Sequence, residues 1–198
     1  MSIVPDAKDW TWVLERTCAE CGFDPDAVAF ESIPGQVRES AAAVADALNH
    51  PNAAVRPDDS TWSPLEYAAH VRDVCRIFEH RLDITRTGSA RPGPVIGGYD
   101  TSVVVDDSGI PMFANWDQDV TALVENYGAQ HPAQVAAELR AAGETTARAF
   151  ESVAAGERGR PAKRSNGSLF TVESLARYFT HDVVHHVHDI EKQSATTS

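Results

Sequence analysis

The stretch Trp62–Gly88, WSPLEYAAHVRDVCRIFEHRLDITRTG, carries the clearest helix signals in the chain. Ser63 is a favourable N-cap, Pro64 suits the first helical position, and Glu66 stands where it can complete a capping box. The spacing therefore predicts a helix that fills most of this stretch, ends at its final glycine and presents His70 on its apolar face.

Helical periodicity extends over most of the remaining chain, with further helices predicted at about 35–49, 117–127, 133–153 and 171–192. Residues 89–115 hold most of the turn signals and are predicted to form one long loop, although its three valines at 103–105 would also suit a short strand. The expected fold is all-α: a four-helix bundle with an extra short helix and a long loop between helices 2 and 3.

The size and charge of the chain limit its function further. Its 198 residues fit one domain over 1–198, with an N-terminal arm at 1–26 and a disordered tail at 193–198. A net charge of −12 makes nucleic acid and anionic membranes poor partners. No apolar run suits a membrane span and no signal peptide is visible. Three cysteines do not make a disulfide framework, so a cytoplasmic location is expected.

The histidines are the strongest chemical signal, because four of the eight lie within His181–His188. His181 and His185 are four residues apart, so on a helix their imidazoles share a face and can bind one metal ion. A third ligand has to come from another element, and His70 is the natural candidate. The apolar stripe of the last helix lies opposite this pair. The alternative to a metal site is therefore an exposed, histidine-rich helix end. If instead both sides of this helix are buried, one of them would suit the contact of a homodimer.

Several neighbouring side chains could complete or support such a site. His186 and His188 are weaker ligand candidates than the pair at 181 and 185. Asp182, Asp189 and Asp73 could accept hydrogen bonds from the imidazoles; solvated helix acids are the alternative interpretation, which is the preferred one for Asp189.

A CxxC sequence, Cys18 to Cys21, lies in the predicted arm. A structural zinc site would need two further ligands, and no second CxxC is present. Free thiols are the preferred interpretation, with a disulfide or a metal contact as alternatives. The segment Asn115–Asp119 is interpreted as a helix start capped by Asn115, or else as a pocket wall. The basic residues within 158–164 could meet an anionic cosubstrate or form a solvated linker.

Three motifs follow one another along the chain: WSPLE at 62–66, HVRDV at 70–74 and HDxxHH at 181–186. As a set they resemble the DinB-like superfamily, which includes mycothiol-dependent maleylpyruvate isomerases, over about 35–192. The resemblance implies a four-helix bundle that holds a divalent metal through three histidines. These correspond to His70, His181 and His185.

The resemblance also implies a function, because a metal-bound thiol loses its proton and becomes a nucleophile at neutral pH. The expected cofactors are a divalent ion, with zinc preferred over nickel or iron, and a low-molecular-weight thiol such as mycothiol as cosubstrate. The expected reaction on a small electrophile is thiol transfer, thiol-assisted isomerisation or metal-assisted hydrolysis. A non-catalytic bundle of stress-response type that binds metal or a small ligand is the alternative.

Overall fold

Helices make up most of the protein, whose computed structural model describes residues 9–89 and 92–196. Four long helices pack into a bundle in which α1 and α2 each contact both α4 and α5, and α3 is short. This arrangement confirms the four-helix bundle with an extra short helix. Over the described residues the helices are α1 Ile33–Ala47, α2 Pro64–Thr87, α3 Gln118–Val124, α4 Pro132–Glu151 and α5 Val172–Thr196.

A small four-stranded sheet accompanies the bundle, so the all-α prediction is not correct for the whole chain. Its strands are β1 Val103–Val105, β2 Pro111–Phe113, β3 Pro161–Arg164 and β4 Leu169–Thr171, in the order β1-β2-β3-β4. Two antiparallel hairpins join through the parallel pairing of β2 with β3. Strands of three or four residues are too short to show an alternating pattern, and the central pairing joins distant parts of the chain.

The start and end of α2 follow the sequence signals. The Ser63 hydroxyl accepts a hydrogen bond from the Glu66 amide at 3.3 Å, and the Glu66 carboxylate accepts one from the Ser63 amide at 2.9 Å. Gly88 ends the helix in the left-handed conformation, with φ of 73°. This helix is buried on nearly all sides, because α4, α5 and the long connection after it all pack against it. His70 is therefore deep in the protein.

Aromatic packing fixes α5 against the rest of the bundle. The ring of Phe179 is fully buried, with its centroid 5.2 Å from that of Phe78 in α2 and 5.5 Å from that of Phe150 in α4. These contacts set the rotation of α5 about its axis, and with it the direction of every histidine in this helix.

The predicted arm and the predicted tail lie only partly within the residues that the structure describes. The predicted tail at 193–198 begins inside α5, which continues to Thr196, and 197–198 lie outside the described residues. The predicted arm is described from residue 9 onward, with a 3-10 helix at Trp10–Leu14, and 1–8 lie outside. No described helix combines the length and apolar character needed to cross a membrane.

Candidate metal centre

His181 and His185 of α5 are buried and do not form an exposed helix end. His181 is 4% exposed and His185 is 8% exposed, because the N-terminal arm (residues 9–26) covers this face of the helix. The Trp10 ring lies 5.7 Å from the His181 ring and 5.4 Å from the His185 ring. Burial lowers the pKa of both histidines, to about 4 for His181, so both are neutral at neutral pH. Neutral imidazole is the form that binds metal.

The three predicted metal ligands fall into two neighbouring groups. His181 and His185 lie together, with ring centroids 5.1 Å apart, whereas His70 meets His186 edge to face at 4.7 Å. In each group the potential ligand atoms lie within 4.8 Å of one another. The assignment of all three predicted histidines to one ion stays a prediction. We call the two groups the His70 cluster (His70, Asp182, His186) and the cysteine cluster (Cys18, Cys21, His181, His185).

His70 is completely buried and unsatisfied. Neither of its ring nitrogens has a hydrogen-bond partner among the described residues, and the same holds for Oδ1 of Asp182. The His70 Nε2 atom lies 3.7 Å from that oxygen, which is too far for a hydrogen bond. Burial lowers the pKa of His70, which keeps the imidazole neutral. A buried polar group without a partner costs about 1–3 kcal/mol. A cation bound between the His70 nitrogen and the Asp182 oxygen would give both atoms a partner, and both are ordinary ligands of zinc.

His186 lies between two carboxylates. Its Nδ1 donates a hydrogen bond to Asp189 at 3.1 Å, and its Nε2 lies 3.3 Å from Oδ1 of Asp182. Burial alone lowers its pKa, but these carboxylates raise the pKa of His186 to about 9. The Asp182 carboxyl is itself buried, yet His186 and His70 hold its pKa well below the usual range. A cation in this cluster would replace the imidazolium proton as the counter-charge of Asp182.

From the sequence, His186 is a weaker ligand candidate than His181 and His185, and Asp182 is expected only as an acceptor for an imidazole. The spacing of four residues between Asp182 and His186 is the same as that of His181 and His185, one position along the helix. That spacing is the sequence signal that could have identified Asp182 and His186 as ligands. The packing of α5 decides which of the two pairs faces α2. Of the acids expected to support imidazoles, Asp189 does so, whereas Asp73 accepts hydrogen bonds from Arg72 and Tyr127.

The connection between α2 and α3 closes over His70. The indole of Trp116 stacks on the imidazole, with ring centroids 5.3 Å apart and 5° between the planes. Its Nε1 donates a hydrogen bond to Thr121 Oγ1 at 2.7 Å, which fixes the ring. The N-cap of α3 is Asp117 and not Asn115, because the Asp117 side chain accepts from two amides of the first turn. The segment is thus both a helix start and a wall over the site.

A cavity of about 520 Å³ opens beside both clusters. Four elements of the chain contribute to its wall: the arm, α2, the segment before α3, and α5 with the hairpin before it. The cavity is lined by Asp9, Trp10, Phe78, Arg81, Asn115, Trp116, Asp117, Gln118, Asp119, Arg164, Asn166, Tyr178, His181, Asp182, His185 and His186.

Two guanidinium groups, those of Arg81 and Arg164, lie in the cavity wall together with four aspartates. Arg81 is 4% exposed, lies on the Phe78 ring and donates a hydrogen bond to the Ala114 carbonyl at 3.1 Å. Its Nε has no hydrogen-bond partner among the described residues. Arg164 is also buried and is held by Asn166 at 3.0 Å. Guanidinium groups of this kind suit a carboxylate or another oxyanion.

The comparisons with known proteins agree with this architecture. The chain is similar to YfiT from Bacillus subtilis, described as "a probable metal-dependent hydrolase with an unusual four-helix bundle topology", with a TM-score of 0.65 and 14% sequence identity. The match covers 87% of this chain and 91% of that chain, and at this identity it shows the fold alone. No curated protein gives a significant match. The family model described as the DinB superfamily matches residues 35–190, which include the whole His70 cluster. The chain therefore belongs to the DinB superfamily.

Proposed function

We propose that this protein is a metal-dependent enzyme that joins a low-molecular-weight thiol of mycothiol type to a small anionic electrophile, or uses the thiol to isomerise it. The observation that carries the proposal is the His70 cluster, in which two imidazoles and a carboxylate converge on one point. Within residues 9–89 and 92–196, neither nitrogen of His70 has a hydrogen-bond partner. Three protein ligands leave a position for a further ligand on a zinc ion, as catalytic zinc sites do.

A divalent ion held in this cluster supplies Lewis acidity, which lowers the pKa of a coordinated thiol or water molecule. Zinc is the preferred ion, and nickel or iron would also suit two imidazoles and a carboxylate. The other residues position the ligands and exclude water. Asp189 accepts the Nδ1 proton of His186 and so orients its ring. Trp116 covers His70 and separates it from solvent.

The shape and charge of the cavity support the substrate class. A volume of about 520 Å³ is in the usual range for small-molecule sites. The Arg81 Nε, which has no hydrogen-bond partner among the described residues, would offer a charge-assisted hydrogen bond to a carboxylate on the electrophile, whereas Arg164 already lies 3.7 Å from Asp9. The thiol cosubstrate is proposed from the resemblance to mycothiol-dependent members of the superfamily.

Metal-assisted hydrolysis is the second candidate function, because YfiT is described as "a probable metal-dependent hydrolase". The same cluster would then activate water, and the arginines would hold an anionic part of an ester or amide. The thiol requirement distinguishes the two functions.

The test is a turnover assay on zinc-loaded protein with carboxylate-bearing electrophiles and with mycothiol, bacillithiol, glutathione or no thiol. We expect turnover that requires a thiol and is lost in Asp182→Ala. Glu191→Ala, an exposed acid of the same helix, is the control and keeps full activity. Hydrolysis without a thiol would favour the second candidate. Stoichiometric metal without any turnover would contradict an enzymatic function.

A further inference from the structure

The cysteine cluster brings together side chains from the two ends of the chain. Its four ligand atoms lie within 4.8 Å of one another, and the Cys18 sulfur is 3.8 Å from Nδ1 of His185. Around a tetrahedral zinc ion with ordinary bond lengths, a sulfur and a nitrogen lie about 3.5 Å apart. Only small side-chain shifts would therefore be needed to bind zinc.

The backbone between the two cysteines forms a tight turn. The Cys18 amide donates to the Phe23 carbonyl at 2.8 Å, and the Gly22 amide donates to the Cys18 carbonyl at 2.9 Å. Gly22 has a φ of 74°, in the left-handed region that glycine adopts without strain. This turn holds Cys18 and Cys21 close enough to bind one ion.

The two histidines present nitrogens that need a partner. His181 is 96% buried, and its Nε2 has no hydrogen-bond partner among the residues that the structure describes. His185 directs Nδ1 toward Cys18, while its Nε2 lies 3.9 Å from Glu20 and 3.8 Å from Asp189. Metal-binding histidines commonly present their second nitrogen to a carboxylate in this way.

We propose that Cys18, Cys21, His181 and His185 form a structural zinc site that attaches the N-terminal arm to α5. The spacings, two residues between the cysteines and three between the histidines, are those of Cys2His2 zinc sites. Four protein ligands complete the tetrahedron and leave no position for substrate. The proposal is independent of the proposed function, because none of these residues belongs to the His70 cluster.

A zinc ion here would also shape the cavity. The arm has little regular structure beyond one short 3-10 helix, and its Asp9 and Trp10 form part of the cavity wall. Packing of Trp10 on the two histidines is reinforced when the same imidazoles bind zinc. The site would thus hold in place the part of the cavity wall that the arm contributes, without taking part in the reaction.

Cobalt substitution tests this site directly. Untagged protein is stripped with a chelator, reduced and titrated with Co²⁺, because cobalt bound to thiolates absorbs in the near ultraviolet. We expect this band in the wild type and its loss in the Cys18→Ser/Cys21→Ser variant. Cys75→Ser removes a buried thiol of α2 outside the cluster and keeps the band. His70→Ala also keeps it, so failure of the His70 cluster would be seen separately.

A second measurement on the wild type avoids any doubt about the folding of variants. Cys18 and Cys21 are alkylated in zinc-loaded and in chelator-treated protein, and modification at each site is followed by mass spectrometry. We expect zinc to protect both cysteines and leave the reactivity of Cys75 unchanged. Absence of the cobalt band in the wild type, or equal alkylation with and without zinc, would overturn the proposal.

Discussion

The indole of Trp116 lies parallel to the imidazole of His70, with ring centroids 5.3 Å apart and 5° between the ring planes. The contact joins the long connection after α2 to the most deeply buried candidate ligand of the protein. Without the indole, water would reach His70 and its orientation would loosen. Trp116→Ala should therefore weaken zinc binding at the His70 cluster by about 10–100-fold, as for other residues that orient a metal ligand.

Trp116→Phe is the matched variant, because it keeps an aromatic ring over His70 and removes only the hydrogen bond to Thr121. We expect it to retain most of the affinity. Competition with a chromophoric chelator, performed in the Cys18→Ser/Cys21→Ser background, measures the zinc affinity of this cluster alone. Equal affinities for the wild-type ring, Phe and Ala at this position would show that the stacking has no role.

The close approach of α1 and α4 predicts opposite effects at two glycines. A Cβ at Gly143 would lie 2.6 Å from the Cβ of Ala41, so Gly143→Ala should lower the free energy of unfolding by about 1–3 kcal/mol. A Cβ added at Gly35 in α1 would meet only open space. Gly35→Ala should therefore leave the free energy of unfolding unchanged or raise it by up to about 1 kcal/mol. Urea unfolding of both variants gives the comparison. Similar destabilisation by both would refute the packing argument.

The capping box of α2 predicts a pH-dependent stability. Burial raises the pKa of Glu66, but hydrogen bonds from Arg56 and Ser63 outweigh it and hold the pKa below its usual value. The ionised group thus stabilises the fold fully above the pKa of the unfolded chain, about 4.3, and loses this effect as the pH falls through the lower folded value. Glu66→Gln should lower the free energy of unfolding by about 1–3 kcal/mol at neutral pH.

Urea unfolding of the wild type and Glu66→Gln at several pH values tests this interpretation. The difference between them should shrink as the medium is acidified below the ordinary carboxyl pKa. A difference that stays constant into strong acid would mean that the charge of Glu66 is not what stabilises the start of α2.

Metal removal should release the N-terminal arm while the bundle stays folded. Chelation of the wild type should raise the rate of limited proteolysis within residues 9–26 and change the fluorescence of Trp10 and Trp12. Cys18→Ser/Cys21→Ser should behave like chelated protein even with zinc present, and Cys75→Ser should respond like the wild type. Helical circular dichroism should change little throughout. An arm that resists protease equally with and without metal would speak against the zinc attachment.

Local signals gave the helices, whereas the sites depend on packing that the sequence does not display. Ser63, Glu66 and Gly88 act within one turn of the chain, and the structure places each as predicted. Two pairs of potential ligands in α5 have the same four-residue spacing: His181 with His185, and Asp182 with His186. Which pair faces His70 in α2 depends on the rotation of α5 about its axis. Contacts with Phe78 and Phe150 set that rotation through Phe179.

The four-stranded sheet and the cysteine cluster could not be predicted from hydrophobic periodicity either. The sheet forms because β2 pairs with β3 some fifty residues later, as Met112 opposite Lys163 and Phe113 opposite Arg164 show. The cysteine pair finds its two further ligands on the last helix, although no second CxxC exists. Both are contacts between distant segments, which short sequence patterns do not specify.

The most direct test of the central claim is the zinc content of untagged protein after exhaustive dialysis, measured by mass spectrometry in the Cys18→Ser/Cys21→Ser background. The His70 cluster predicts about one zinc ion per chain, loss of that ion in Asp182→Ala and its retention in His181→Ala. Retention in Asp182→Ala together with loss in His181→Ala would contradict this account and would instead support one ion held by His70, His181 and His185.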